Sequence, residues 1–333
     1  MAKKTRTAAR TPLTDEQREQ RRQAERELLT SAVAQLKTSE GWLRWLKVRK
    51  SFRAYSMNNQ LLIALQAPNA TRVAGFQAWL KLGRCVKKGE KAIKIFAPVP
   101  PSKKMLEVWK AAGADPKKRP RPRFKLTSVF DLAQVAPLPE PATVVELDSP
   151  FDVALEGEDL AELLFDDGPF QTLADELGLT LTFQARDGGG ACGGYFAPAD
   201  KQIVVYADTT ANAQAAIAAH EFAHALVRLD RHDDDPRLDY AREELVVESV
   251  AFSVMSALGI DAEASSVAYL ACWSQAAPIE TIEQHAKLID RLAKRLELQL
   301  LGDPRATATA AAAAPPAGLP DAKAPAARVA VPA

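Results

Sequence analysis

The segment His220-Glu221-Phe222-Ala223-His224 constrains this chain more than any other stretch. It has the form H-E-x-x-H and lies in an apolar run from Ala215 to Val227. On a helix, residues four apart share a face, so the two imidazoles stand one turn apart and can grip one Zn²⁺. Glu221 between them is then placed as a general base toward a water at that ion. The chain has only 4 His in 333 residues, and two of them fall at this spacing around a Glu, so the pattern is signal rather than composition. The plainer alternative is a pair of ordinary helix histidines.

A catalytic zinc has three protein ligands and one open position. No third His follows in the H-E-x-x-H-x-x-G-x-x-H form, so a carboxylate on the next helix is sought. Glu243, Glu244 and Glu248 are there. Glu248 stands between Val246-Val247 and Val250-Ala251-Phe252, where a carboxylate is costly unless paired or metal-bound, so Glu248 is the expected ligand. Glu244, one turn earlier, is the alternative or a hydrogen-bond partner to a His ligand. His232, in an acidic loop, and His285 are expected at the surface. A purely structural metal needs no general base, and the intact Glu221 speaks against one.

The net charge of +1 conceals a division: residues 1–140 carry 30 Lys+Arg and 11 Asp+Glu, whereas residues 141–333 carry 13 and 31. Such asymmetry points to one part built for a polyanion, with mutual docking of the two parts as the alternative. A chain of 333 residues with 47% hydrophobic content is expected to form two packed domains. No apolar run approaches the ~18 residues of a membrane span, and no signal-peptide core follows the basic N-terminus. A soluble cytoplasmic protein with no membrane partner is therefore expected. Cys85, Cys192 and Cys272 form no C-x-x-C and indicate neither a disulfide framework nor a cysteine zinc site.

Residues 1–12 have the composition of a disordered basic arm. A helix is expected from Thr14 to about Leu36, broken by Gly41. The stretch from Trp42 to Tyr55 interleaves aromatic and basic residues, which suits unpaired nucleic acid: rings stack on bases and cations meet phosphates. An amphipathic helix with Trp42, Trp45 and Phe52 in the core fits the same spacing. Asn58 and Asn59 suit a helix cap. Lys87-Lys88-Gly89 is a basic turn, and strands are expected at Ile93 to Phe96 and Phe124 to Phe130, joined by a Lys- and Pro-rich loop or ribbon tip. The candidate DNA contacts are Arg44, Lys47, Arg49, Lys50, Arg53, Tyr55, Asn58, Asn59, Arg84, Lys87, Lys88 and Lys91.

A Pro-rich and acidic linker spans residues 137–156. Beyond it a helix from Pro169 to Leu177 ends at Gly178, a strand covers Leu179 to Phe183, and a glycine-rich loop leads to a hairpin of Gly194-Tyr195-Phe196 with Lys201 to Tyr206. Thr209 or Thr210 caps the metal-motif helix. Further helices are expected from Arg237 to Leu258, over 262–277 and from Ile279 to Leu300, and an Ala/Pro tail over 304–333 builds no core.

Several short motifs occur in order in the basic half. They are Tyr55-Ser56-Met57-Asn58-Asn59-Gln60, Val73-Ala74-Gly75-Phe76 with Trp79, Leu82-Gly83-Arg84 with Val86 to Lys91, and Val129 to Gln134. Over roughly residues 30–136 this resembles the N-terminal domain of ArdC-type antirestriction proteins, which implies a single-stranded DNA-binding module. The acidic half, through Gly194-Tyr195-Phe196, His220 to His224 and Glu243 to Glu248, resembles the C-terminal domain of the same family, akin to IrrE/ImmA-type zinc peptidases. Carried over, the resemblance implies His220, His224 and Glu248 as zinc ligands and Glu221 as general base. The expected fold class is α+β, with a basic ssDNA-binding domain over 13–136 and a zincin-like metallopeptidase domain over 157–303. The resemblance implies a single-stranded-DNA-binding antirestriction protein of a mobile element carrying Zn²⁺. The alternative is an active, DNA-tethered metalloprotease that cleaves a protein partner.

Overall fold

A computed structural model describes residues 14–139, 144, 158–164, 167–186, 192–260 and 277–303. The expected arm at 1–12, most of the 137–156 linker, the glycine-rich residues 187–191, nearly all of the helical piece 262–277 and the tail from 304 lie outside these residues.

Helix α1 (Asp15–Ala34) begins at a reciprocal cap: Thr14 Oγ1 accepts from the Gln17 N–H, and the Gln17 side chain accepts from the Thr14 N–H. Gly41 does not break this helix, contrary to expectation. A 3₁₀ turn over Gln35–Lys37 does, and Thr38 then caps α2 (Ser39–Ser51), in whose first turn Gly41 lies. A Cβ at Gly41 would stand 1.9 Å from the Gln35 carbonyl oxygen, so glycine is required by the close approach of two helix ends. Helix α2 buries Trp42, Trp45 and Leu46, and Phe52 follows its last turn into a core. These rings pack and do not face solvent, so the amphipathic-helix reading of this stretch holds.

Helix α3 (Met57–Gln66) follows. Short strand β1 (Val73–Ala74), helix α4 (Phe76–Lys81) and strand β2 (Arg84–Val86) lead to β3 (Ile93–Val99). Strand β3 pairs antiparallel with β4 (Arg123–Asp131), from Ile93 opposite Val129 to Val99 opposite Arg123. Ile93 and Ile95 point inward and Lys94 outward, the period-2 alternation of a half-buried strand. The sheet order is β1-β4-β3, and β5 (Val135–Pro137) pairs with β2. Asp131 ends β4 and accepts from the N–H groups of Thr71, Arg72 and Ala133, stitching the sheet to the loop before β1. The insertion between β3 and β4 contains helix α5 (Lys103–Ala111) and a 3₁₀ turn at Pro116–Lys118.

The acidic part opens with α6 (Glu158–Leu164) and α7 (Pro169–Leu177), the latter closed by Gly178 at φ +67°. Strands β6 (Thr180–Gln184), β7 (Gly194–Ala197) and β8 (Gln202–Tyr206) form a sheet of order β6-β8-β7, with β6 parallel and β7 antiparallel to β8. Helices α8 (Ala211–Leu229), α9 (Tyr240–Ala257) and α10 (Ile279–Leu301) complete the described elements. Thr210 caps α8 by accepting from the Ala213 N–H.

One hydrophobic core runs from the first helices to the last: Leu36, Trp42 and Leu62 belong to the same cluster as Phe222, Val250 and Leu292. A smaller core, with Phe52, Ile63, Ile93 and Val129, fills the space between α3 and the β1-β4-β3 sheet. His285 is buried in α10 rather than at the surface. Its Nδ1–H donates to the Thr281 carbonyl at 2.7 Å, and burial lowers its pKa. Among the described residues, no helix is long and apolar enough to cross a membrane.

Candidate metal centre and nucleic-acid surface

Helix α8 carries His220, Glu221 and His224, and α9 packs along it. The alanines at 215, 218, 219, 223 and 225 let the neighbouring elements approach α8 closely, and all five are buried. The two imidazole rings lie 4.9 Å apart, centre to centre. Glu244, on the facing surface of α9, meets both: its carboxylate lies 3.9 Å from His220 Nε2 and 3.6 Å from His224 Nε2. His220, His224 and Glu244 form the group whose donor atoms all lie within 4.8 Å of one another and could hold a metal ion. Around a tetrahedral ion with ~2.1 Å bonds the donors stand about 3.4 Å apart, so two imidazole nitrogens and a carboxylate at these distances would close inward to hold a divalent cation.

The group takes in Glu244, the alternative ligand, and not Glu248, the expected one. Glu248 lies 3.6 Å from His220 Nδ1, the far nitrogen of that ring, and does not join the group. The apolar neighbours of Glu248 mark the buried side of α9, but its position along the axis is one turn beyond the point where both imidazoles converge. Glu243, one of the three candidate carboxylates, lies 2.9 Å from His224 Nδ1 and also takes a weak bond from Arg228. A proton on Nδ1 donated to Glu243 leaves Nε2 free to face Glu244. Tyr240 is a residue the sequence did not signal: the nearby charge of Glu244 raises its phenol pKa.

Glu221 is buried, and the backbone N–H of Phe196 on strand β7 lies on its side of the site. Burial pushes its carboxyl up to about 7, against the opposing pull of His224 and the Phe196 N–H. Burial, with His224 alongside, lowers His220 to about 4, so its ring is neutral at pH 7, as metal ligation requires. The site opens into a cavity of about 760 Å³ whose walls include Gly193, Ile217, His220 and Glu221 on one side and Glu248, Phe252 and Met255 on the other. Gly194 fits because a Cβ would meet the Val204 carbonyl at 2.5 Å and Ile217 at 2.6 Å. Strand β7 borders this cavity, and among the described residues β8 is its sole strand partner. His232 is exposed in the loop beyond α8 and is remote from the group above.

The sequence-derived DNA contacts divide. Arg49 has no exposed surface: its guanidinium bonds Asp290 at 3.0 Å and Glu297, both on α10. Asn59 is also buried, and its amide donates to the Phe96 carbonyl and accepts from the Phe96 N–H, extending β3 rather than capping α3. Neither side chain can reach a phosphate, which corrects both expectations. Tyr55 packs edge-on against Phe52 and is half-buried. Arg44 pairs with Glu40. Lys50, Arg53, Asn58 and Arg84 are half-buried, whereas Lys47, Lys87, Lys88 and Lys91 stand in solvent.

Residues 11–130 match the N-terminal domain of anti-restriction factor ArdC. This covers the ArdC-like motifs up to Phe130, and residues 131–136 lie beyond the match. An uncharacterized protein of Bacillus anthracis, pXO2-81, is 27% identical over 85% of this chain and 51% of its own length. The chain thus spans about half the length of that curated relative. Crystal structures of the antirestriction ArdC protein from the R388 plasmid, metal-free and Mn(II)-bound, are 22% identical with a TM-score of 0.44. They cover 73% of this chain, and the chain covers 84% and 82% of them.

Proposed function

We propose that this chain binds single-stranded DNA through its basic ArdC-type part and serves antirestriction, shielding the DNA of a mobile element from nuclease access. The carrying observation is the match of residues 11–130 to the ArdC N-terminal domain. The excess of 30 cationic over 11 acidic residues in 1–140 supports it, because phosphate neutralisation supplies most of the affinity in sequence-tolerant binding. The test is a titration of the full chain with labelled oligothymidylate and with duplex DNA across a salt series. Affinity is expected to favour the single strand and to fall linearly on log–log axes, with a slope of about −0.7 per phosphate contacted. A flat salt dependence would reject phosphate-based binding, and equal affinity for duplex would reject the single-strand preference.

A second reading, a zincin-like metallopeptidase centre, is favoured by the convergence of His220, His224 and Glu244 beside Glu221 and an open cavity. Those three residues would hold Zn²⁺, since two imidazoles, one carboxylate and an open side make up a known catalytic zinc set. Bound Zn²⁺ supplies Lewis acidity toward water and an amide carbonyl. Glu221 takes the proton of the attacking water and returns it to the leaving amine. The edge of β7 offers backbone groups to an extended peptide added as a further strand. Zinc-loaded protein is expected to cleave an unfolded protein substrate. Glu221→Gln is expected to keep the metal and lose cleavage by at least about 10²-fold; retained cleavage rejects this role for Glu221.

A further inference from the structure

Outside the metal centre, the most unusual surface is the outer end of the β3–β4 ribbon with α5 and the Pro116–Lys118 turn. Between residues 101 and 125 the chain places nine Lys and Arg against only Glu107 and Asp115. On α1 such crowding is neutralised: Arg22 pairs with Glu19 and Arg21 with Glu25. Among the described residues, Lys117, Lys118, Arg119, Arg121, Arg123 and Lys125 form no ion pair with any carboxylate. All six stand in solvent. Apolar side chains stand open among them, with Phe124 65% exposed and Val108 63% exposed. No residue of α5 is buried. A self-repelling cationic cluster around an uncovered aromatic ring gives the folded chain no return of its own, and both features are relieved by an anionic partner with apolar faces.

The kind of anion follows from the ring. Phe124 lies opposite Pro98 at the outer end of the ribbon, and strand alternation turns Arg123 and Lys125 to the other face. Long Lys and Arg stems reach around both edges of a ribbon only two strands wide. A duplex keeps its base faces stacked inside, so an exposed ring gains nothing from it, whereas an unpaired base offers a free π-face. An anionic membrane is less well matched. The tryptophan of α5, Trp109, is tied inward by its Nε1–H bond to the Asp115 carbonyl at 2.9 Å and by Arg119 over its ring. It cannot serve as an interfacial anchor.

We propose that this arm is a single-stranded nucleic-acid finger, with Phe124 stacking an unpaired base and the surrounding cations holding the flanking phosphates. The inference rests on the single-strand reading above and assigns its contact surface to a region distinct from the Trp42 to Tyr55 stretch.

The test uses the full chain, Phe124→Ala and a Lys117→Ala/Lys118→Ala/Arg121→Ala variant. Labelled oligothymidylate, duplex DNA and phosphatidylserine vesicles are the probes. All four positions are exposed, so unchanged melting curves are expected for both variants. Phe124→Ala is expected to weaken oligothymidylate binding about tenfold and to leave duplex binding unchanged. The triple variant is expected to lower the single-strand salt slope by about 2. If the parent binds oligothymidylate and both variants match it, the arm is not the contact surface, and the single-strand reading survives. If the parent binds no single-stranded DNA, that reading itself falls and takes the inference with it. Loss of vesicle binding alone would reassign the arm to a membrane surface and overturn the proposal.

Discussion

Glu243, Glu244 and Glu248 occupy neighbouring positions on one helix and have three different surroundings. Glu244 faces both imidazoles, Glu243 meets the outer nitrogen of His224, and Glu248 meets the outer nitrogen of His220. The difference is a matter of about 100° of rotation and 1.5 Å of rise per residue, which no composition argument resolves. Under the proposed metal reading, Glu243 orients the His224 ring without binding the ion, so its loss would act on metal affinity. Glu243→Ala is expected to weaken Zn²⁺ binding by about 10- to 100-fold, measured by competition with a chromophoric chelator. Unchanged affinity would mean that His224 is held by its packing alone.

Among the elements, starts and stops carried plain chemical signals. Thr14 and Thr210 cap helices as their hydroxyls predict, and Gly178 and Gly259 take positive φ just beyond helix ends, as their lack of a Cβ allows. The hairpin expected of Gly194-Tyr195-Phe196 with Lys201 to Tyr206 forms as Gly194–Ala197 paired with Gln202–Tyr206, a local pairing that sequence proximity carries. The misreadings share one cause. Gly41 reads as a breaker and Asn59 as a cap on local grounds, but each answers to a distant part of the chain: the end of the preceding helix for Gly41, the backbone of β3 for Asn59. The insertion between β3 and β4 carries, beside its Lys- and Pro-rich turn, a helix with no buried residue that the sequence did not announce.

At the scale of the whole molecule, the basic and acidic parts are joined through a core. Trp42 Nε1–H donates to Ser249 Oγ at 3.0 Å, one residue from Glu248, and Arg49 is enclosed by Asp290 and Glu297. Gln60 donates to the same Asp290 carboxylate, and Lys294 bonds both Asp290 and the Tyr55 carbonyl. Burial works against the Arg49 charge, but Glu297 and Asp290 outweigh it and hold its pKa above the ordinary value. Mutual attraction of the two parts is therefore real at this point, although the exposed lysines of the first half remain available to a polyanion. Arg49→Met leaves two buried carboxylates without their shared partner. It is expected to cost about 3–5 kcal/mol in urea unfolding, with most of that loss recovered when Asp290 and Glu297 are also made apolar. A loss under about 1 kcal/mol would mean that water reaches the pair.

The H-E-x-x-H helix, the charge division and the caps and stops of several helices follow from the amino-acid sequence alone, because each depends on spacing or chemistry within a few residues. The sequence also carried the ArdC-like motifs of the first half. The fold alone settles which glutamate of α9 meets both histidines and that Arg49 and Asn59 face inward. Those outcomes depend on how helices and strands far apart in the chain are rotated and shifted against one another. That geometry is fixed by packing the shared core and not by any local run of residues.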